Sequence, residues 1–215
     1  MSTPGIRTVT TAEDVVAAGR LVAVSFDHLD ANHYLIPDET RRLEAMQEFF
    51  TVLTAHAANG AGKVLLTEDG NATAVWFDRT VEPTEPDGYA ERINAAAGEY
   101  ADRFAALDEL FEAHHPTEPH WHLAFLAVHP DHWSRGLGGA LMDHTHGWLD
   151  KEGLPAYLEA TNADNQRVYR RHGYTDMTPF PIVLGDPAAS TEDGVASATF
   201  YRMWRNPGAQ TVTTA

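Results

Sequence analysis

No cysteine occurs among the 215 residues. A disulfide framework, a cysteine-based zinc site and a thiol nucleophile are therefore excluded. Long apolar runs are missing too: no stretch approaches the roughly 20 residues needed to cross a bilayer, and Met1–Thr8 has no apolar signal core. These absences predict a cytoplasmic protein with no membrane partner. Positive charge is scarce as well, with 15 basic against 31 acidic residues and a formal net charge of -16. Such a surface repels phosphate backbones, so nucleic acid is not the expected partner, and a cationic small molecule suits the field better. What is present is 43% hydrophobic content. That is enough for one substantial core at this length, which predicts a single domain over 1–215, either monomer or homodimer.

Periodicity orders the chain. Ile6–Val9 reads as a short strand, and Thr10 with Glu13 has the form of a capping box opening a helix through Val15, Leu21 and Phe26. A second helix begins after Asp38 and runs to about Gly60, with Leu43, Met46, Phe49, Phe50 and Leu53 at helical spacing. Lys63–Thr67 and Ala72–Phe77 flank Glu68-Asp-Gly-Asn71, which is turn chemistry for an antiparallel hairpin. Proline and acid make Thr80–Gly88 a loop, and Tyr89–Phe111 returns to helical spacing. His120–Val128 is the strongest strand candidate, and it stops at Pro130. A helix from about Gly136 to Gly153, a strand Pro155–Ala160, a short helix Asp164–His172 capped by Gly173 and a last strand Phe200–Trp204 complete the chain, with Thr178–Ala198 read as loop. Strands alternating with helices indicate a mixed α/β sheet covered by helices.

The segment Val128-His-Pro-Asp-His-Trp-Ser-Arg-Gly-Leu-Gly-Gly-Ala-Leu141 joins a strand to a helix through a glycine-rich turn. Unpaired N–H groups and the helix dipole at such a start favour an anion, and glycines let a pyrophosphate approach the backbone. Other phosphate loops fail on the same letters. A P-loop needs Lys followed by Ser or Thr where Ala140-Leu141 stand, and a dinucleotide fingerprint needs glycine in place of Leu141.

A strand ending in Val-x-Pro, then Gly-x-Gly leading into an apolar helix, resembles the acyl-CoA motif of the GNAT N-acyltransferases. That loop commonly reads Arg or Gln, two residues, Gly, one residue, then Gly or Ala. Gly136 and Gly138 match, whereas Trp133 occupies the Arg/Gln position and removes a usual loop-stabilising side chain. The block Glu159–Tyr174, ending in Tyr-x-x-x-Gly-aromatic, is similar to the family's downstream signature. Glu118–Trp121, Gly62–Val64, Ala74–Trp76 and Asn206–Ala209 extend the resemblance to the puromycin N-acetyltransferase branch.

The resemblance implies an α/β GNAT fold, with a mainly antiparallel mixed sheet splayed at the cofactor site. It implies acetyl-CoA as cosubstrate and a small-molecule amine, such as an antibiotic or other natural product, as acceptor. The pyrophosphate would lie on Ser134, Arg135, Gly136, Leu137, Gly138, Gly139 and Ala140, with Arg135 adding positive charge. Pantetheine would pair with the backbone of Leu126, Ala127 and Val128, where a β-bulge would turn an N–H toward the thioester oxygen. Tyr169 would be the acid beside the cofactor sulfur, and Asn165, one helical turn earlier, would bond the pantetheine arm or a nearby loop.

An alkylammonium of pKa about 10 must lose a proton before it attacks, and Glu159, at the end of its strand, is the first choice of base. His122 is held in reserve. On the residues alone, Glu159 also reads as an exposed strand-end carboxylate and Tyr169 as a packing tyrosine. Trp121 and Trp133 either line a ligand pocket or pack the core. No metal is expected, because His144 and His146, two apart on a helix, diverge and no further ligand closes a set. A noncatalytic acyl-CoA binder of the same fold, and a protein or peptide N-acyltransferase, are the competing readings.

Overall fold

The computed structural model describes residues 4–189 and 195–209. Among them seven strands form one sheet in the order β1-β2-β3-β4-β5-β7-β6. The strands are β1 (Ile6–Thr8), β2 (Gly62–Thr67), β3 (Ala72–Asp78), β4 (Trp121–Val128), β5 (Ala156–Ala160), β6 (Thr175–Gly185) and β7 (Ser197–Arg205). Neighbours run antiparallel except β4 and β5, which are parallel. Helices α1 (Ala12–Phe26), α2 (Asp30–Leu35), α3 (Glu39–His56), α4 (Tyr89–Ala97) and α5 (Ala101–His114) pack over one face of the sheet, and α6 (Leu137–Glu152) covers the other. A short helix, α7 (Ala163–Arg171), follows β5. Among the described residues no helix is long and apolar enough to cross a membrane.

Several local expectations shift by a residue or more. The cap of α1 is Thr11, whose hydroxyl accepts from Asp14 N at 3.2 Å, and not Thr10 with Glu13. The helical run from Tyr89 divides at Gly98, which takes φ +58, a conformation an interior helical residue avoids. Asp30–Leu35 is a helix that periodicity over six residues could not mark. Thr178–Ala198 is only partly a loop, since β6 reaches Gly185 and β7 starts at Ser197, while 190–194 lie outside the described residues. Pro179 and Pro181 argue against a strand in the middle of a sheet, but β6 is an edge strand, where a missing donor faces no neighbour.

The last strand is anchored to α6 by an ion pair between the buried Arg205 and the half-buried Asp150. Arg205 donates to both carboxylate oxygens of Asp150, at 2.7 and 2.9 Å, to Ala209 O and, through Nε, to His172 O. The Arg205 hydrogen bonds hold the Asp150 carboxyl below its ordinary range. A depressed carboxylate stabilises the fold above its unfolded pKa of about 3.9 and loses that contribution as pH falls through its folded value. Removing one partner of a buried pair costs about 3–5 kcal/mol. Asp150 is 32% exposed, so Asp150→Asn is expected near the lower end, about 3 kcal/mol. Urea denaturation at pH 7 checks the value, and the difference from the parent protein should shrink by pH 3.

Candidate active site

The parallel β4–β5 ladder contains two register pairs, Trp121 with Ala156 and His122 with Tyr157. Beyond them the strands part, and β5 continues against β7 alone. The remaining edge of β4 faces no strand. On its other side β4 has an irregularity: Val75 pairs with Phe125 and Trp76 with Leu123, so Ala124 is the extra residue of a bulge. The bulge reverses the side-chain phase. Trp121 and Leu123 pack with the α6 cluster before it, and Leu126 and Val128 do so after it. The family resemblance implies a bulge at Leu126–Val128, whereas the bulge lies upstream of all three.

Backbone alternation decides which groups face the split. His129 N donates to Asn71 O at 2.8 Å, on the β3 side. Alternation then turns the polar groups of Leu126 and Val128 toward the split and those of Ala127 toward β3. Ala127 therefore drops out of the expected pantetheine-binding backbone. The Val128 carbonyl is also taken, accepting from Ser25 Oγ at 2.9 Å and from Trp133 Nε1 at 2.8 Å. Trp133 thus supplies the loop tether that its position had seemed to lose. Arg135 adds another, donating to Asp131 O at 3.0 Å rather than reaching outward alone. Trp121, 6% exposed, stacks edge-on against Trp148 on the α6 side and does not line the cavity between β4 and β5.

The glycine turn delivers the expected helix start, short of one donor. Ser134 (φ 60) and Gly136 (φ 79) are both left-handed, and Gly136 caps α6 without a side-chain hydrogen bond among the described residues. Ala140 N donates to Gly136 O at 3.0 Å, so Ala140 offers no N–H to a ligand. The first-turn N–H groups of Leu137, Gly138 and Gly139 have no intrahelical acceptor. A Cβ on Gly138 would sit 3.6 Å from the Leu126 and Val128 side chains, ordinary contact. The fold itself does not demand glycine there.

Where β4 and β5 part, a cavity of about 1200 Å³ opens. It exceeds the ~300–1,000 Å³ of ordinary ligand pockets and has room for parts of two substrates. Ala124 and Leu126 line it from β4, Glu159 from β5, and Asn165 and Tyr169 from α7. Asn162 caps α7 by accepting from Asn165 N at 2.9 Å, and the Asn165 side-chain amide donates to Thr161 Oγ1 at 3.0 Å. Asn165 therefore spends its amide on the local loop. Tyr169 packs edge-on against Tyr174, and burial raises its pKa, which keeps the phenol protonated.

Glu159 is not an exposed strand-end carboxylate. Its side chain is 6% exposed, and Oε2 lies 2.8 Å from His122 Nε2. Burial pushes its pKa up, but His122, the Tyr157 hydroxyl and Arg202 together outweigh that and hold it below the ordinary range. His122 Nδ1 is buried and has no partner among the described residues; in the tautomer that gives Nε2–H to Glu159 it would carry a lone pair. Next to it His115 Nε2 lies 3.1 Å from His120 Nε2, and His120 Nδ1 lies 2.6 Å from Glu118 O. Burial pushes His115 down to about 2 and His120 to about 4, so both are neutral at physiological pH. Arg79 also borders the cavity, and its buried Nε has no partner among the described residues. His115 and Arg79 were not singled out in the sequence, because only the fold carries the end of α5 and the end of β3 to His122.

Residues 102–174, about a third of the chain, match the model of the acetyltransferase (GNAT) family. The stretch runs from α5 through β4, the glycine turn, α6, β5 and α7. Among solved structures, the chain is similar to one described as histone acetyltransferase HPA2 and related acetyltransferase from Corynebacterium glutamicum. Identity is 22%, the TM-score 0.63, and the match covers 98% of this chain and 100% of that one. It is also similar to a polyamine N-acetyltransferase of Drosophila melanogaster, with 21% identity, TM-score 0.61 and coverage of 94% and 98%. Arylalkylamine N-acetyltransferase 2 of Aedes aegypti follows with 16% identity, TM-score 0.57 and coverage of 94% and 99%. The mixed seven-stranded sheet flanked by helices is the fold this chain shares with these acetyltransferase structures.

Gly136 isolates the backbone requirement of the turn, because a Cβ there would meet nothing within 4 Å. Gly136→Ala should cost about 1–2 kcal/mol through its left-handed conformation alone. Equilibrium denaturation measures this, and an unchanged midpoint would remove the strain argument.

Proposed function

We propose that this chain is an acyl-CoA-dependent N-acetyltransferase of the GNAT family that acetylates the amine of a small molecule. The observation that carries the reading is the opening between β4 and β5, with an uncapped glycine helix start at one end and the buried Glu159–His122 pair at the other. Acetyl-CoA fits these residues. Its pyrophosphate is assigned to the N–H groups from Ser134 to Gly139, and its pantetheine amides to the free edge at Leu126 and the Val128 N–H. The match over 102–174 and the shared fold support the donor, and the amine-acetylating neighbours support a small amine as acceptor.

Acetyl-CoA supplies the acetyl group as a thioester, so attack by the amine forms a C–N bond and breaks the C–S bond. The chain's residues handle the protons and charge. His122 Nδ1 accepts the proton of the acceptor ammonium, while the Glu159 carboxylate holds the opposite ring nitrogen and stabilises the imidazolium. Glu159, held ionised by its neighbours, acts through His122. The Ala124 backbone, left out of the β3 ladder, is the candidate donor to the carbonyl oxygen. Tyr169 donates to the departing thiolate. The resemblance to the puromycin N-acetyltransferase branch, together with the net charge of -16, makes a cationic aminonucleoside or related natural-product amine the first acceptor class to test.

The decisive assay is thiol release from acetyl-CoA against a panel of aminonucleosides, aminoglycosides, arylalkylamines, polyamines and peptides. Turnover with a small amine is expected. Acetylation of peptides alone would overturn the acceptor assignment, and saturable acetyl-CoA binding without turnover on any acceptor would leave a noncatalytic binder.

Gly138→Asp should abolish measurable acetyl-CoA binding by calorimetry, whereas Gly138→Ala should fold like the parent and lose affinity only in part. Parent-like affinity in a folded Gly138→Asp protein would move the pyrophosphate elsewhere. Tyr169→Phe should lower kcat with little change in acetyl-CoA affinity.

His122→Gln should lower kcat at neutral pH by about 10²–10⁴-fold, the usual range for a lost general base. The loss should shrink at alkaline pH, where free amine accumulates. Glu159→Gln should follow the same pH trend with a smaller loss, because the amide oxygen still accepts from His122. A larger loss from Glu159→Gln than from His122→Gln would make Glu159 the direct base.

A further inference from the structure

Helix α6 carries Asp143 and His146 three residues apart, which puts both on one side of the helix. The chain leaving α7 brings His172 against them. One potential ligand atom from each of the three lies within 4.8 Å of the others. His172 Nδ1 is 2.9 Å from Asp143 Oδ1. His146 is 4% exposed and its Nε2 lies 3.1 Å from the Tyr174 hydroxyl, while its buried Nδ1 has no partner among the described residues. An orphaned buried polar atom costs about 1–3 kcal/mol, so something is expected to satisfy it. Asp143 and His146 open onto a surface hollow of about 430 Å³ beside α6. None of the three residues has a part in the proposed acetyl transfer.

We propose that Asp143, His146 and His172 bind one divalent transition-metal ion of the zinc type, with water completing the coordination. Two imidazoles and a carboxylate are a borderline donor set that suits zinc and cobalt and does not suit calcium or magnesium. Zinc lies about 2.0–2.2 Å from nitrogen or oxygen ligands, and His172 Nδ1 now holds Asp143 at 2.9 Å. The 55% exposed Asp143 side chain has the freedom to draw in and release His172. Asp150 borders the same hollow but is not a ligand, since Arg205 and Gly208 N occupy its oxygens. Arg205 instead fixes the His172 backbone from behind, through its bond to the His172 carbonyl. His144 and His146, two apart on α6, diverge. The converging pair is Asp143 and His146, and the third ligand lies 26 residues further on, where only the fold brings it near.

This inference is independent of the proposed activity, and its test reads metal binding directly. The tag-free full-length protein, stripped with a chelator and dialysed, is titrated with Co²⁺ while visible ligand-field absorption is followed, and Zn²⁺ is then added as competitor. One equivalent of Co²⁺ should bind, and Zn²⁺ should displace it. Asp143→Asn and His172→Gln, both judged folded by circular dichroism, should each weaken binding at least about tenfold. His144→Gln, at the exposed neighbouring position, should leave affinity unchanged. Absence of saturable binding to the parent protein, or parent-like affinity in both Asp143→Asn and His172→Gln, would overturn the site.

Discussion

The termination of the β4–β5 ladder after His122 and Tyr157 is the constraint on which the remaining site geometry rests. A sheet that parts in its middle leaves backbone donors and acceptors without strand partners, and buried ones must be satisfied by other means. Two donors, from Ser25 and Trp133, converge on the Val128 carbonyl and close the far end of the gap. The Leu126 edge between is left for a molecule that can act as a strand. The bulge at Ala124 belongs to the same constraint, because it lets β4 keep apolar contacts with α6 while its direction changes.

The electrostatics divide in two. The surface carries most of the acidic excess, yet at the root of the cleft the imidazoles of His115, His120 and His122 gather beside the buried Glu159 carboxylate. Burial keeps His115 and His120 neutral, so they do not compete with His122 for the negative charge of Glu159.

Legibility followed the range of the forces involved. The glycine turn was readable because Gly136, Gly138 and Gly139 sit together in sequence and a left-handed residue at a helix start is a local demand. The hairpin of β2 and β3 and the helix α6 were readable for the same reason. The bulge was not, since Leu123-Ala-Phe-Leu-Ala-Val128 is apolar throughout and carries no alternation to lose. Edge strand β6 was hidden by prolines whose tolerance depends on which strand lies at the margin. Trp133 looked like a lost tether because only the folded turn shows its indole reaching back to Val128. Glu159 was legible as a residue but not as half of a pair, because His122 lies 37 positions away.

The parted sheet also has a mechanical meaning. Strands β1 to β4 form one arm and β5, β7 and β6 the other, joined at the Trp121–His122 and Ala156–Tyr157 pairs. At about 3.3 Å per residue, Val128 stands roughly 20 Å from that joint and Glu159 roughly 7 Å. For a given small rotation about the joint, the gap at the level of Val128 changes about three times as much as at the level of Glu159. The slot can therefore widen at its mouth while the His122–Glu159 contact, close to the fulcrum, hardly changes length. A long flexible molecule could enter and leave such a slot without disturbing the hydrogen bond at its root.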